Sequence, residues 1–176
     1  DMGVFDHDYS WEDLKRVGIN PEVKPPVPLS VCLSHKFDKE GKLDRLKVRM
    51  AIAGHPGNMQ RGVHYEKTFA ATPGQNASRI LQAMLVRNNW KRLTWDIKMA
   101  YCWAEVPSND LFAIKYPKGF ERFDTNGQPL YAVVRRNLYG SPSASRAWSS
   151  ARDKFILSKF NEDGWACTRC ISDPAL

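Results

Sequence analysis

Apolar and polar positions alternate strictly along Leu46-Lys47-Val48-Arg49-Met50-Ala51-Ile52. Leu46, Val48, Met50 and Ile52 fall on one face, and Arg45, Lys47 and Arg49 on the other. This predicts a strand with a basic face. Asp38-Lys39-Glu40-Gly41 reads as a turn before it and Val31 to Phe37 as its partner, which makes a β-hairpin. Gly54, Pro56 and Gly57 then turn the chain into a loop. The same alternation recurs in Arg92-Leu93-Thr94-Trp95-Asp96-Ile97-Lys98, predicting a strand with Asp96 on its less apolar face. Leu111 to Tyr116 and Leu130 to Arg135 are two further strand candidates, separated by Pro117-Lys118-Gly119 and the polar stretch Asp124-Thr125-Asn126-Gly127.

Helical spacing appears in three places. Ser10 followed by Asp13 three residues later is the signature of a short capped helix. Asn76 can cap a helix to about Asn88, with Ala77, Ile80, Leu81, Met84 and Leu85 on one stripe. Ser141 as cap with Pro142 at the first helical position predicts a helix to about Phe160. It carries Ala144, Trp148, Ala151 and Phe155 on one face and stops near Gly164. The four prolines between Pro21 and Pro28 forbid a helix and predict an extended linker. This order of elements suggests an α+β sheet with helices on one face.

Length and composition narrow the class. A chain of 176 residues with 43% hydrophobic side chains suits one packed unit or two small subdomains. No apolar run approaches the roughly 18 residues of a membrane span, and the first residues lack a signal-peptide pattern, so neither membrane insertion nor secretion is expected. Four scattered cysteines do not make a disulfide framework, and an intracellular, reducing compartment, cytoplasmic or nuclear, is the expectation. The net charge of +7 is unevenly spread: residues 31–95 hold twelve basic and four acidic side chains. Such a segment suits a polyanion and also a well-solvated basic surface.

Few motifs of common chemistry are present. Cys167-Thr168-Arg169-Cys170 has the spacing of half a zinc site, but no second Cys or His pair follows at a suitable distance. Phosphate-loop, nucleophile-elbow and zinc-protease motifs are absent from the sequence.

Six blocks in order carry a resemblance. They are Lys47-Val48-Arg49-Met50-Ala51-Ile52-Ala53-Gly54, Tyr65-Glu66-Lys67-Thr68-Phe69-Ala70, Trp95-Asp96-Ile97-Lys98-Met99-Ala100-Tyr101, Tyr116-Pro117-Lys118-Gly119-Phe120, Asn137-Leu138-Tyr139-Gly140 with Arg146-Ala147-Trp148, and Ser172-Asp173-Pro174-Ala175-Leu176. Over residues 30–176 the chain resembles a copia-type retrotransposon reverse transcriptase in its fingers and the first part of its palm. The resemblance implies a partial right-hand polymerase: an α+β fold with fingers and an incomplete antiparallel palm sheet backed by helices. Residues 1–30 would be a linker with a short helix, 31–92 a fingers-like subdomain and 93–176 a partial palm.

Carried over by resemblance, Asp96 is the first catalytic, metal-binding aspartate, for Mg²⁺ in the complete enzyme. Two such ions neutralise the charge that develops during nucleotidyl transfer. Tyr101 is the residue on which the incoming sugar packs, Lys47 and Arg49 clamp the nucleotide triphosphate, and Gly140 lets the backbone approach the templating base pair. The implied partners are primer–template nucleic acid and deoxynucleotides.

The chain also departs from the family pattern. Pro142 and Ser143 stand where the family has Lys and Gln, Ser145 where it has Pro, and Lys67 where it tends to have Glu. The family's Tyr-x-Asp-Asp hairpin belongs after Ser172-Asp173-Pro174, and no Asp-Asp pair occurs anywhere in the sequence. The expectation is therefore a polymerase fragment that is not catalytic alone, with a protein partner possible over the incomplete palm. The alternatives are a non-catalytic interaction subunit of retroelement origin in a larger assembly and a simple nucleic-acid-binding module.

Overall fold

The computed structural model describes residues 2–92, 94, 96–164 and 168. Five strands, β1 (Phe5–Tyr9), β2 (Val27–Phe37), β3 (Leu43–Ile52), β4 (Ala113–Lys115) and β5 (Tyr131–Val134), form one sheet in the order β1-β5-β4-β2-β3. Among the described residues three α-helices accompany it: α1 (Trp11–Arg16), α2 (Gln75–Arg87) and α3 (Ala144–Glu162). This is the α+β class expected. Pairing is antiparallel except between β2 and β4, where Val27 faces Ile114 and Pro28 faces Lys115 in parallel. The long chain between those two strands makes the parallel crossover possible.

β4 and β5 are covered on both faces, which explains their unbroken apolar runs. On one face Phe112, Ile114, Ala132 and Val134 pack with Val27, Ile52, Met59 and Leu138. On the other, Ala113, Tyr131 and Val133 pack with Leu14 and Ile19. The N-terminal thirty residues therefore build part of the core as well as linking. α1 forms where the capping signature places it: Ser10 Oγ accepts from the Asp13 amide at 3.2 Å, and the Asp13 carboxylate accepts from the Ser10 amide at 3.3 Å. β1 has no clear alternation in the sequence. It adds to the free side of β5 with a bulge between Asp6 and Tyr9, where Asp8 takes a left-handed conformation.

The predicted hairpin is present. Its register pairs Leu33 with Val48, Ser34 with Lys47 and Lys36 with Arg45, and the Asp38 carboxylate closes the turn by accepting from the Glu40 and Lys42 amides. Only its root, at Val27 and Ile52, enters the core. Farther out its apolar face lies open, with Leu33 74% and Leu46 67% exposed.

Three expectations need correction. Among the described residues of 92–98 none is in a strand; Arg92, Thr94, Asp96 and Ile97 are irregular, and Leu93 and Trp95 lie outside the described residues. Alternation supplies the faces of a strand but not the neighbour whose ladder holds it, and no described strand pairs there. The last helix begins at Ala144 rather than at Pro142, because Ser141 to Ser143 form a tight turn that the Ala144 amide closes by donating to the Ser141 carbonyl at 3.1 Å. Helix α2 starts at Gln75, one residue before the predicted Asn76 cap, and its stripe of Ile80, Leu81 and Met84 is exposed.

Candidate nucleic-acid interface

One face of the hairpin is strongly basic. The register sets Lys36 beside Arg45, Lys47 beside Ser34 and Arg49 beside Cys32, so four cations stand among small side chains. Their mutual repulsion is visible at Lys47. Arg49 above all, then slight burial, then Lys36 and Arg45 push its ammonium below the usual lysine range. A bound anion would relieve that repulsion. Asp44 lies 3.7 Å from Arg45 and offsets one of the charges.

A second group gathers where α3 begins. Met99 in a left-handed conformation leads into a 3₁₀ turn, Ala100–Trp103, which buries Cys102 and presents Tyr101. The Tyr101 ring meets Tyr139 edge-on at 4.7 Å between centroids, and its hydroxyl is 3.1 Å from Ser145 Oγ. Proline at position 145 would have no such partner to offer. Buried Asn137 fixes the preceding residues by donating to the carbonyls of Ala104 and Glu105.

Gly140 connects the two groups. Its φ is +86°, and a Cβ there would lie 2.0 Å from the Ile52 carbonyl oxygen. The need for glycine thus arises from the root of β3, a contact within the protein. Beside it the Ile52 amide donates to the Tyr139 carbonyl at 2.8 Å.

Of the residues singled out from the sequence, Lys47 and Arg49 share one face, and Tyr101 and Gly140 meet through Tyr139. Asp96 is exposed on irregular backbone and is not drawn into either group by any described contact. Among the described residues no group of three His, Cys, Asp or Glu side chains is placed to hold a metal ion. The described side chains therefore do not fit a two-ion centre. Cys167 and Cys170 lie outside the described residues. Sequence reasoning passed over Lys36 and gave Tyr139 no role of its own. Hairpin register could have found the first, by counting back from the turn to Arg45. Nothing local announces the second.

A family model described as reverse transcriptase (RNA-dependent DNA polymerase) matches residues 12–166. The chain belongs to that family. No curated protein and no solved structure gives a significant match. Membership implies that this reverse transcriptase homologue deals with nucleic acid in general. Among the described residues no helix is long and apolar enough to cross a membrane.

Proposed function

We propose that the chain is the fingers and first part of the palm of a copia-type reverse transcriptase, and that it binds primer–template nucleic acid without extending it. The observation that carries this reading is the four-cation face of the hairpin, whose crowding an array of phosphates would offset. Lys47 and Arg49 serve as phosphate contacts, Arg as a planar fork and Lys as a point charge. Tyr101 and Tyr139 offer aromatic surface to a base or sugar.

Fluorescence anisotropy at two salt concentrations tests the binding. Affinity is expected to fall steeply with salt, and the double change Lys47→Ala/Arg49→Ala to flatten the salt slope by about one to two units. A solvated face without a ligand gives no binding even at low salt.

Primer extension tests the second half of the proposal. With Mg²⁺ or Mn²⁺ the 176-residue chain is expected to add no nucleotide, because Asp96 alone cannot assemble a two-ion site. Incorporation abolished by Asp96→Asn would overturn this and make the chain a polymerase in its own right. An interaction subunit is the second reading. It draws on the open apolar face of the hairpin and the open stripe of α2.

A further inference from the structure

The exit of β3 and the turn before α3 interlock through two glycines. A Cβ on Gly140 would strike the Ile52 carbonyl oxygen at 2.0 Å, and one on Gly54 would strike the Gly140 carbonyl oxygen at 2.0 Å and Pro142 Cδ at 2.9 Å. Both obstacles to a new Cβ include backbone, so no side-chain rotation makes room. One hydrogen bond crosses between the two segments beside this contact, the Ile52 amide donating to Tyr139 at 2.8 Å, while the Ala53 amide donates to Pro28 at 3.0 Å within the hairpin itself. The hairpin is thereby seated on the turn that carries Tyr139.

Separation along β3 gives this seat a functional meaning. Arg49 and Lys47 are three and five residues from Ile52, about 10 and 17 Å along a strand. One nucleic-acid strand in a duplex carries a phosphate roughly every 3.4 Å, so about three to five phosphates cover that distance. A ligand lying along the hairpin root can engage the cations and the tyrosines together only if the angle between hairpin and turn is held. Resting on the nucleic-acid reading above, we propose that Gly54 and Gly140 form a rigid joint coupling the basic hairpin to the Tyr101–Tyr139 pair. Gly54 is then a positioning residue for nucleic-acid binding. It touches no ligand and acts by letting two backbones meet.

The test is a double-mutant cycle read by anisotropy on a primer–template duplex, with Lys47→Ala/Arg49→Ala as one arm and Tyr139→Ala as the other. In the otherwise unaltered chain the two losses are expected to be coupled by about threefold or more. In a Gly54→Ala background, checked for a cooperative melt, overall affinity is expected to drop while the coupling disappears. A general loss of stability would lower affinity without uncoupling the arms. Should Gly54→Ala fail to fold, Pro142→Gly loosens the same turn without adding an atom and carries the same expectation. Coupling that persists in the folded variant, or that is absent from the unaltered chain while binding is intact, overturns the joint alone. Failure of the unaltered chain to bind the duplex at low salt overturns the nucleic-acid reading, and the joint's role with it.

Discussion

His64 lies apart from the candidate interface and bears on how stability responds to pH. It is buried; its Nδ1 accepts from the Gln60 amide at 3.1 Å, and its Nε2 lies 3.4 Å from the Pro25 carbonyl. Burial, with a smaller contribution from Lys24, holds the imidazole below its ordinary value of 6.5, while the Pro25 carbonyl opposes that shift. The unfolded chain therefore binds the proton more readily than the folded one. Stability is expected to be full above about pH 6.5 and to fall as the pH drops toward the depressed folded value. Urea midpoints measured between about pH 7.5 and about pH 5 check this, and His64→Gln is expected to shrink the acid-side loss. Gly140 is the other instructive residue: resemblance assigns it to a base pair, whereas here the Ile52 carbonyl already excludes a side chain.

At the scale of elements, α1 and the hairpin were both legible, for different reasons. The Ser10–Asp13 box is a signal between neighbours and needs nothing distant, so Ser10→Ala is expected to cost about 1 kcal/mol. Leu14 on the same helix gave no sign of how deeply it sits. It is fully buried against Ile19, Ala113, Tyr131 and Val133, and Leu14→Ala is expected to cost about 2–5 kcal/mol. A segment that merely linked would show almost no loss in the same denaturation experiment. In the hairpin, period-two alternation and a polar turn were enough to predict the two strands and the basic face of the second. They could not tell which face would find a cover, and the apolar face of Leu33, Leu46 and Val48 found none among the described elements.

For the whole molecule, those open faces set an expectation about association. The hairpin's apolar face, the stripe of α2 and a groove of about 490 Å³ beside α3, lined by Ile97, Trp103, Trp148, Phe155, Ile156 and Phe160, all remain accessible. Apolar surface on this scale favours partners. Sedimentation is expected to show self-association, accompanied by binding of a dye that reports exposed apolar surface. A monomer with a sharp melt and no dye signal would show that these faces are tolerated by the isolated chain.

The α1 cap, the hairpin with its basic face, the β4 and β5 runs and the two longer helices follow from the sequence, because each depends on periods and turns read over a few residues. Family membership was legible too, since blocks in order are a property of the chain alone, and five of the six fall within the matched residues 12–166. Tertiary structure decided the rest. Strand β1 exists because β5 offers it a ladder, and Arg92, Thr94, Asp96 and Ile97 stay irregular because no described strand offers them one. Tyr101, Tyr139 and Ser145 meet, and Gly54 and Gly140 interlock, across separations of tens of residues that no local pattern records. Backbone hydrogen bonds and close contacts of this kind depend on which distant segment arrives alongside, and packing settles that.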